Sequence, residues 1–338
     1  MKLKELCSWL ESEVPLSFQE DYDNSGLQTG DPERDIRSAL ISFEINDAVL
    51  EEAIEGNYDL VITHHPLIFK GIRSLTPSSV TGRLVFNAVR NNLAVYSMHT
   101  NLDASGKGIS FMLAGVLGLK SRKVLVPLSN RLFKLVTFVP EAWAEKVREA
   151  VFNAGAGVTG NYDMTSFSSA GQGSFRAGSD AKPFSGTKGS LHYENEIRFE
   201  TILPSHLKAK VIAALLSAHP YEEVAFDLIP LVNDYTAAGM GCVGELDSPL
   251  PEKDFLDMAA ASLGSVSLRH SALTGKMISR VAVCGGSGSS LIPAAIASGA
   301  DAFVSGDIRY HNFADAGSDI LIADAGHYET EKFAVQII

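Results

Sequence analysis

The chain has 338 residues, of which 46% are hydrophobic and 20% charged, with a net charge of −12 at pH 7. At roughly 100–200 residues per domain this is a globular protein of two to three domains, long enough to bury a real core. An acidic balance without any Lys/Arg run excludes the electrostatic footprint of a nucleic-acid binder, and no apolar run approaches the ~20 residues of a bilayer span, so neither nucleic acid nor membrane is expected as a partner.

The N-terminus, MKLKELCSWLESEVP, reads as a short amphipathic helix and lacks the apolar run of a signal peptide. Cys7, Cys242 and Cys284 are isolated, with no paired spacing, which predicts a reducing, cytoplasmic setting. Strands are predicted at Ser38–Glu44, Asp59–Thr63 and Leu93–Met98, alternating with helices at Asp47–Gly56, with Asp47 as N-cap, and at Ser79–Asn92. This βαβαβ series implies parallel strands with right-handed crossovers. The last third repeats the style, with strands at Arg280–Cys284, Ala302–Ser305 and Ile320–Ala323 and a helix at Ser289–Gly299.

The middle has another grammar. A strand at Phe133–Val139, a helix at Ala142–Gly155, strands around Met164–Phe175 and Ile197–Leu203, a helix at Leu207–Ala218 and a strand at Val224–Leu231 give β-α-β-β-α-β, the ferredoxin-like order. The glycine-rich stretch Ser168–Gly189 is expected to be a mobile surface loop. The predicted fold class is therefore α/β: a split core with a mainly parallel sheet, formed by 1–128 and 234–338, plus a ferredoxin-like insert at 129–233.

Three clusters of metal-ligand residue types follow predicted strands. His64 and His65 come straight after DLVIT, where ligands of open α/β sheets gather. On a regular strand they would face opposite ways, but Pro66 breaks the ladder and lets both turn to one site; the competing reading is one buried and one solvent histidine at a turn. In His99-Thr100-Asn101-Leu102-Asp103, Asp103 offers a carboxylate able to bridge two cations. His99 fits a ligand, a turn residue or, as favoured here, a group that orients a ligand by hydrogen bonding. His327 and Glu331 are four apart and share a helix face. Mixed imidazole and carboxylate donors suit zinc, iron, manganese or nickel, with zinc the first expectation. His64, His65, Asp103, His327 and Glu331 exceed what one tetrahedral ion needs, so two divalent ions are expected.

Two further segments are open. His311, in GDIRYH, is a candidate catalytic proton donor or acceptor, or else a surface histidine. Gly286, Ser287 and Gly288, in CGGSGS, offer an anion-binding turn at a helix start, or a plain tight turn.

In their order along the chain, DYDNSGLQTGD (21–31), ITHHPLIF (62–69), HTNLD (99–103), GGSGSS (285–290), SGDIRYH (305–311) and GHYETE (326–331) resemble the NIF-three-like dinuclear metal centre proteins, also described as homologues of GTP cyclohydrolase I type 2. The middle segment resembles the CutA/PII-like insert of the longer bacterial members, through SFSSAGQGSFR (166–176) and AHPYEEVAFDLIPL (218–231). The resemblance implies the same five metal ligands, a homohexamer with metal sites facing an inner cavity, and a small-molecule substrate or effector. Glu44 stands where the family has Asp. Members also continue beyond the point matching Ile338, so the sheet edge is finished differently or the chain is truncated, and the Glu331 helix is an expected soft spot. The resulting expectation is a metal-dependent hydrolase acting on a small anionic or heterocyclic, nucleotide-like substrate through a metal-activated water. The alternative is a non-catalytic metal-binding, metal-delivery or regulatory protein.

Overall fold

The computed structural model describes residues 1–338, which form two compact units, Met1–Pro127 with Ala237–Ile338 and Leu128–Thr236. In the first unit, α1 (Leu3–Glu13) precedes β1 (Gly26–Thr29), β2 (Ala39–Ser42), α2 (Asp47–Glu55), β3 (Leu60–Thr63), α3 (Val80–Arg90), β4 (Ala94–Ser97), α4 (Thr100–Asp103), α5 (Ile109–Val116) and β5 (Lys120–Leu128). The Asn46 side chain, not Asp47, caps α2 by accepting from Val49 N at 3.0 Å; Asp47 sits one residue inside and pairs with Arg83. The sheet order is β1-β4-β3-β2, with β2, β3 and β4 parallel and β1 antiparallel to β4. Alternate residues feed two cores, as the pleat requires. Val61 and Val95 pack with Leu50, Leu84 and Ala88, while Leu60, Ile62 and Tyr96 pack with Leu3, Leu10 and Ile109.

The second unit carries β6 (Leu132–Pro140), α6 (Ala144–Asn153), β7 (Ser166–Arg176), β8 (Leu191–Pro204), α7 (Lys208–Ala218) and β9 (Phe226–Leu231). Its sheet order, β7-β8-β6-β9, is antiparallel throughout, the ferredoxin-like arrangement. Val147, Val151, Val211 and Leu215 of the helices close over Leu135, Val139 and Phe199. The glycine-rich stretch is not a loop from Ser168 onward. It continues β7 to Arg176, in register with β8 from Ser166↔Thr201 to Arg176↔Leu191, because glycine backbones pair as well as others once the partner strand is fixed.

The first unit then resumes with β10 (Tyr235–Pro251), α8 (Glu252–Leu263), β11 (Arg269–His270), β12 (Met277–Ser287), α9 (Ile292–Ala297), β13 (Ala302–Gly306), α10 (Tyr310–Asp315), β14 (Leu321–Asp324), α11 (His327–Glu331) and α12 (Ala334–Ile337). These strands make a separate sheet of order β11-β14-β13-β12-β10-β5. Again three strands, β12, β13 and β14, are parallel, and their alternate residues enter two cores. The parallel strands thus lie in two sheets of one unit, each trimmed by antiparallel strands. Ala334, with Ile337 and Ile338 against it, docks into the core beneath α1, so the segment after Glu331 is anchored rather than frayed.

Candidate metal centre

Both parallel trios deliver their carboxyl ends to one place. After β3 the chain turns at once: the backbone N–H groups of His64 and His65 both donate to Phe43 O, each at 3.1 Å. That shared acceptor lets two consecutive histidines face one site. His64 is fully buried, and its Nδ1–H donates to Met98 O at 2.7 Å, since a carbonyl only accepts. Its Nε2 is aimed at the carboxylates, 3.6 Å from Glu331 Oε2 and 3.8 Å from Asp103 Oδ1, and neither it nor Asp103 Oδ1 has a hydrogen-bond partner.

After β14, Gly326 opens α11, whose one turn places His327 Nε2 2.9 Å from Glu331 Oε2. The same oxygen meets His65 Nε2 at 3.2 Å, and the His65 and His327 Nε2 atoms lie 3.4 Å apart. Glu331 is held there from below, for Gly286 N–H donates to the Thr330 hydroxyl at 3.0 Å, and that hydroxyl donates to Gly326 O and His327 O. Gly286 is at φ +58°, and a β-carbon on it would fall inside the Glu331 carboxylate. Gly306 plays a similar part, since a β-carbon there would lie 2.7 Å from His327 N.

A second layer fixes the rings. His99 Nδ1 meets Asp23 Oδ1 at 2.7 Å, and the other Asp23 oxygen accepts from Thr100 N at 3.0 Å and from the Thr100 and Ser25 hydroxyls. His327 Nδ1 meets Asp307 Oδ2 at 2.7 Å. Carboxylates behind imidazoles in this way choose the tautomer and point Nε2 forward. His64, His65 and His99 bring ligand atoms within 4.8 Å of one another, as do His65, His327 and Glu331, and His64, Asp103 and Glu331. His99 therefore stands among the groups able to hold an ion, closer to the centre than a purely supporting residue.

The charges fit a site for a cation. Burial opposes a charge on His64, yet the Glu331 and Asp103 carboxylates outweigh it and raise its pKa. Burial pushes the Asp103 carboxyl up, with His64 opposing and Glu331 reinforcing. Burial would raise Glu331 too, but the His327 and His65 rings that meet its oxygen, with the His64 ring close by, hold it well below the usual carboxylate range. The Glu331 hydrogen bond, against burial and with Asp307 helping, lifts His327 to about 9. An unpartnered buried polar atom costs about 1–3 kcal/mol, and this site holds two face to face. A cation between His64 Nε2 and Asp103 Oδ1 satisfies both.

The remaining expectations divide. His311 lies exposed on α10 with its ring against Tyr310, and makes no hydrogen bond or ion pair with the cluster. The turn at Gly286, Ser287 and Gly288 has two of its three N–H groups already engaged. Gly286 N–H is given to Thr330, Gly288 N–H to Ser305 Oγ at 3.0 Å, and the following α9 is only six residues long. Glu44, half-exposed, approaches His65 Nδ1 to 3.8 Å. Asp23 and Asp307 were missed as functional residues in the sequence. Both lie inside motifs already singled out, two residues before Ser25 and one after the β13 strand end.

The family model described as Duf34/NIF3 (NGG1p interacting factor 3) matches residues 1–338. The chain is 37% identical to a Halalkalibacterium halodurans protein named GTP cyclohydrolase 1 type 2 homolog, over 95% of this chain and 87% of that one. It is 37% identical to the Bacillus subtilis protein of the same name, over 93% and 85%. Among solved structures, a Bacillus cereus protein related to NIF3 superposes with a TM-score of 0.87 at 36% identity, covering 99% of this chain and 91% of that one. Staphylococcus aureus protein SA1388 does so at 0.75 and 29%, covering 98% and 88%.

Proposed function

Since the chain belongs to the Duf34/NIF3 family, we propose that it holds two divalent cations and acts as a metal-dependent hydrolase on a small anionic or heterocyclic, nucleotide-like substrate. The observation that carries this reading is the convergence of His64, His65, His99, Asp103, His327 and Glu331, with two buried donor atoms left unpartnered. Six donors exceed one tetrahedral ion, and Glu331 Oε2, approached by three histidines, would be one of the oxygens that hold the pair. Zinc is the expected ion for this mixed donor set, with iron, manganese or nickel as alternatives. Bound cations would supply Lewis acidity and lower the pKa of water toward neutrality.

The chain's own residues do the rest. Asp23, Met98 O and Asp307 hold the rings in place, and Phe43, 4.5 Å from the His65 ring, shields the cluster from one side. Glu44 Oε2, at the exposed edge, is the carboxylate available to accept a proton. The name borne by the relatives supports a nucleotide-like substrate. A homohexamer in the cytoplasm belongs to the same reading; it rests on the family resemblance, on three free buried cysteines and on the absence of any helix long and apolar enough to cross a membrane.

The test is metal content per chain together with hydrolysis of a nucleotide panel, for wild type and Asp103→Ala. Turnover that follows metal content supports the enzyme. The second reading, a metal-delivery protein, is favoured by the absence of any hydrogen bond or ion pair between His311 and the cluster, and stoichiometric metal transfer without turnover would support it.

A further inference from the structure

The ferredoxin-like unit contains a cavity of about 660 Å³ that shares no lining residue with the metal cluster. That volume lies in the range of small-molecule sites, which pair mostly apolar walls with a few convergent polar groups. Its floor is the open face of the sheet. Gly171 and Gly173 on β7 and Glu196 on β8 lie on one side, with Gly171 directly across from Glu196. Glycine in a strand interior costs stability and marks a place where something must come close to the backbone. Here a β-carbon on Gly173 would fall on Glu196 Oε2, whereas one on Gly171 would meet nothing within 4 Å. The glycines thus make room both for the carboxylate and for empty space beside it.

The walls are aromatic. Phe175 and Phe184 set their rings 6.3 Å and 5.9 Å from Tyr221, and Phe138 joins them from β6. Tyr221 is fixed from both ends. Its hydroxyl donates to Glu196 Oε1 at 2.8 Å, and its N–H donates to His219 Nδ1, whose Nε2–H donates to Phe138 O at 3.0 Å. The roof, between β7 and β8, is tied down by Gly189 N–H to Ala177 O and Lys182 N–H to Glu222 Oε1, both at 2.8 Å. Glu196 Oε2 is left without a hydrogen-bond donor at the floor. Three carboxylates line the cavity, Glu196, Glu222 and Glu223, against Arg176 and Arg198, and Arg198 is already engaged by Glu200.

We propose that this cavity is a binding site for a planar aromatic or heteroaromatic molecule bearing an amidine-like N–H edge, stacked among Phe175, Phe184 and Tyr221 and hydrogen-bonded to Glu196. Rings fit the aromatic walls, and a charged N–H edge can donate to the free Glu196 Oε2 in a charge-assisted bond, stronger than a neutral one.

The probe is 4-aminobenzamidine, whose fluorescence rises on entering an apolar site, titrated into the full-length protein. The expected result is a saturable rise that persists after metals are stripped with a chelator. Glu196→Gln should weaken it by roughly tenfold or more, as loss of a charge-assisted hydrogen bond does. Gly171→Val, whose side chain enters open space and leaves the fold intact by circular dichroism, should abolish it. 4-Aminobenzoate should fail to compete. No saturable rise with wild type, equal affinity in Glu196→Gln or Gly171→Val, or competition by the benzoate would each overturn the proposal.

Discussion

His327 sits between two carboxylates, with Glu331 2.9 Å from Nε2 and Asp307 2.7 Å from Nδ1, and its pKa rises to about 9. At pH 7.5 the metal-free ring therefore carries both protons, and a cation must displace the one on Nε2. Metal addition to stripped protein should release protons, fewer with His327→Ala, and affinity should fall as pH is lowered because protons compete for the same atoms. Titration in buffers of different ionisation enthalpy reads this; identical proton release from both proteins would contradict it. Asp307→Ala should weaken metal binding on the order of 10–100-fold without unfolding the chain, since it acts through the ring it orients. Gly286→Ala should lower metal content more severely, because the added methyl displaces the Glu331 carboxylate. Metal analysis of the folded variants settles both. The six residues that converge here were legible because each lies in a segment that follows a strand and has a side chain that chemistry marks out. Asp23 and Asp307 were not, because an aspartate in a loop is ordinary until folding brings its histidine from 76 or 20 residues away.

At the scale of elements, the sequence identified β2, β3 and β4 with their helices; β3 and β4, buried on both faces, read as unbroken apolar runs. It missed β1, β5, β10 and β11, strands outside the two βαβ series, and with them the division into two sheets. It also ended β7 too early, because glycine and serine carry no strand preference and only pairing with β8 makes them one. The motif AHPYEEV gains a structural account here. His219 is buried, donates through Nε2 to Phe138 O and accepts at Nδ1, so it is held neutral, and burial lowers its pKa from 6.5. In the unfolded chain it titrates near its ordinary value, so between the two values the unfolded state binds more protons. Stability should therefore drop as pH falls through about 6.5 and onward to the lower folded value. Thermal unfolding of wild type and His219→Gln from pH 8 to 5 checks this; the variant should show a shallower decline, and equal slopes would refute it.

At the scale of the whole molecule, one sheet is built from strands on both sides of the ferredoxin-like unit. β5, before it, lies beside β10, after it. A β-carbon on Gly239 would press on Val126 and Pro127, and one on Gly244 on Lys120 and Leu119, so the two strands run in opposite directions with their open ends together. Neighbouring strands stand about 4.8 Å apart, a gap that a two-residue Asn-Gly turn closes. Joining Pro127 to Ala237 through such a turn should then give a chain that unfolds cooperatively, because all four apolar clusters of that unit are formed by its own residues. The six clustered donors all belong to it as well, so metal content per chain should match that of the full protein. The 4-aminobenzamidine response should vanish with the cavity that Phe175, Phe184 and Tyr221 enclose. A shortened chain that fails to fold would show that the flanking segments need the ferredoxin-like unit to find each other. One that folds but loses its metal would move part of the metal centre's support outside the residues that now appear to build it.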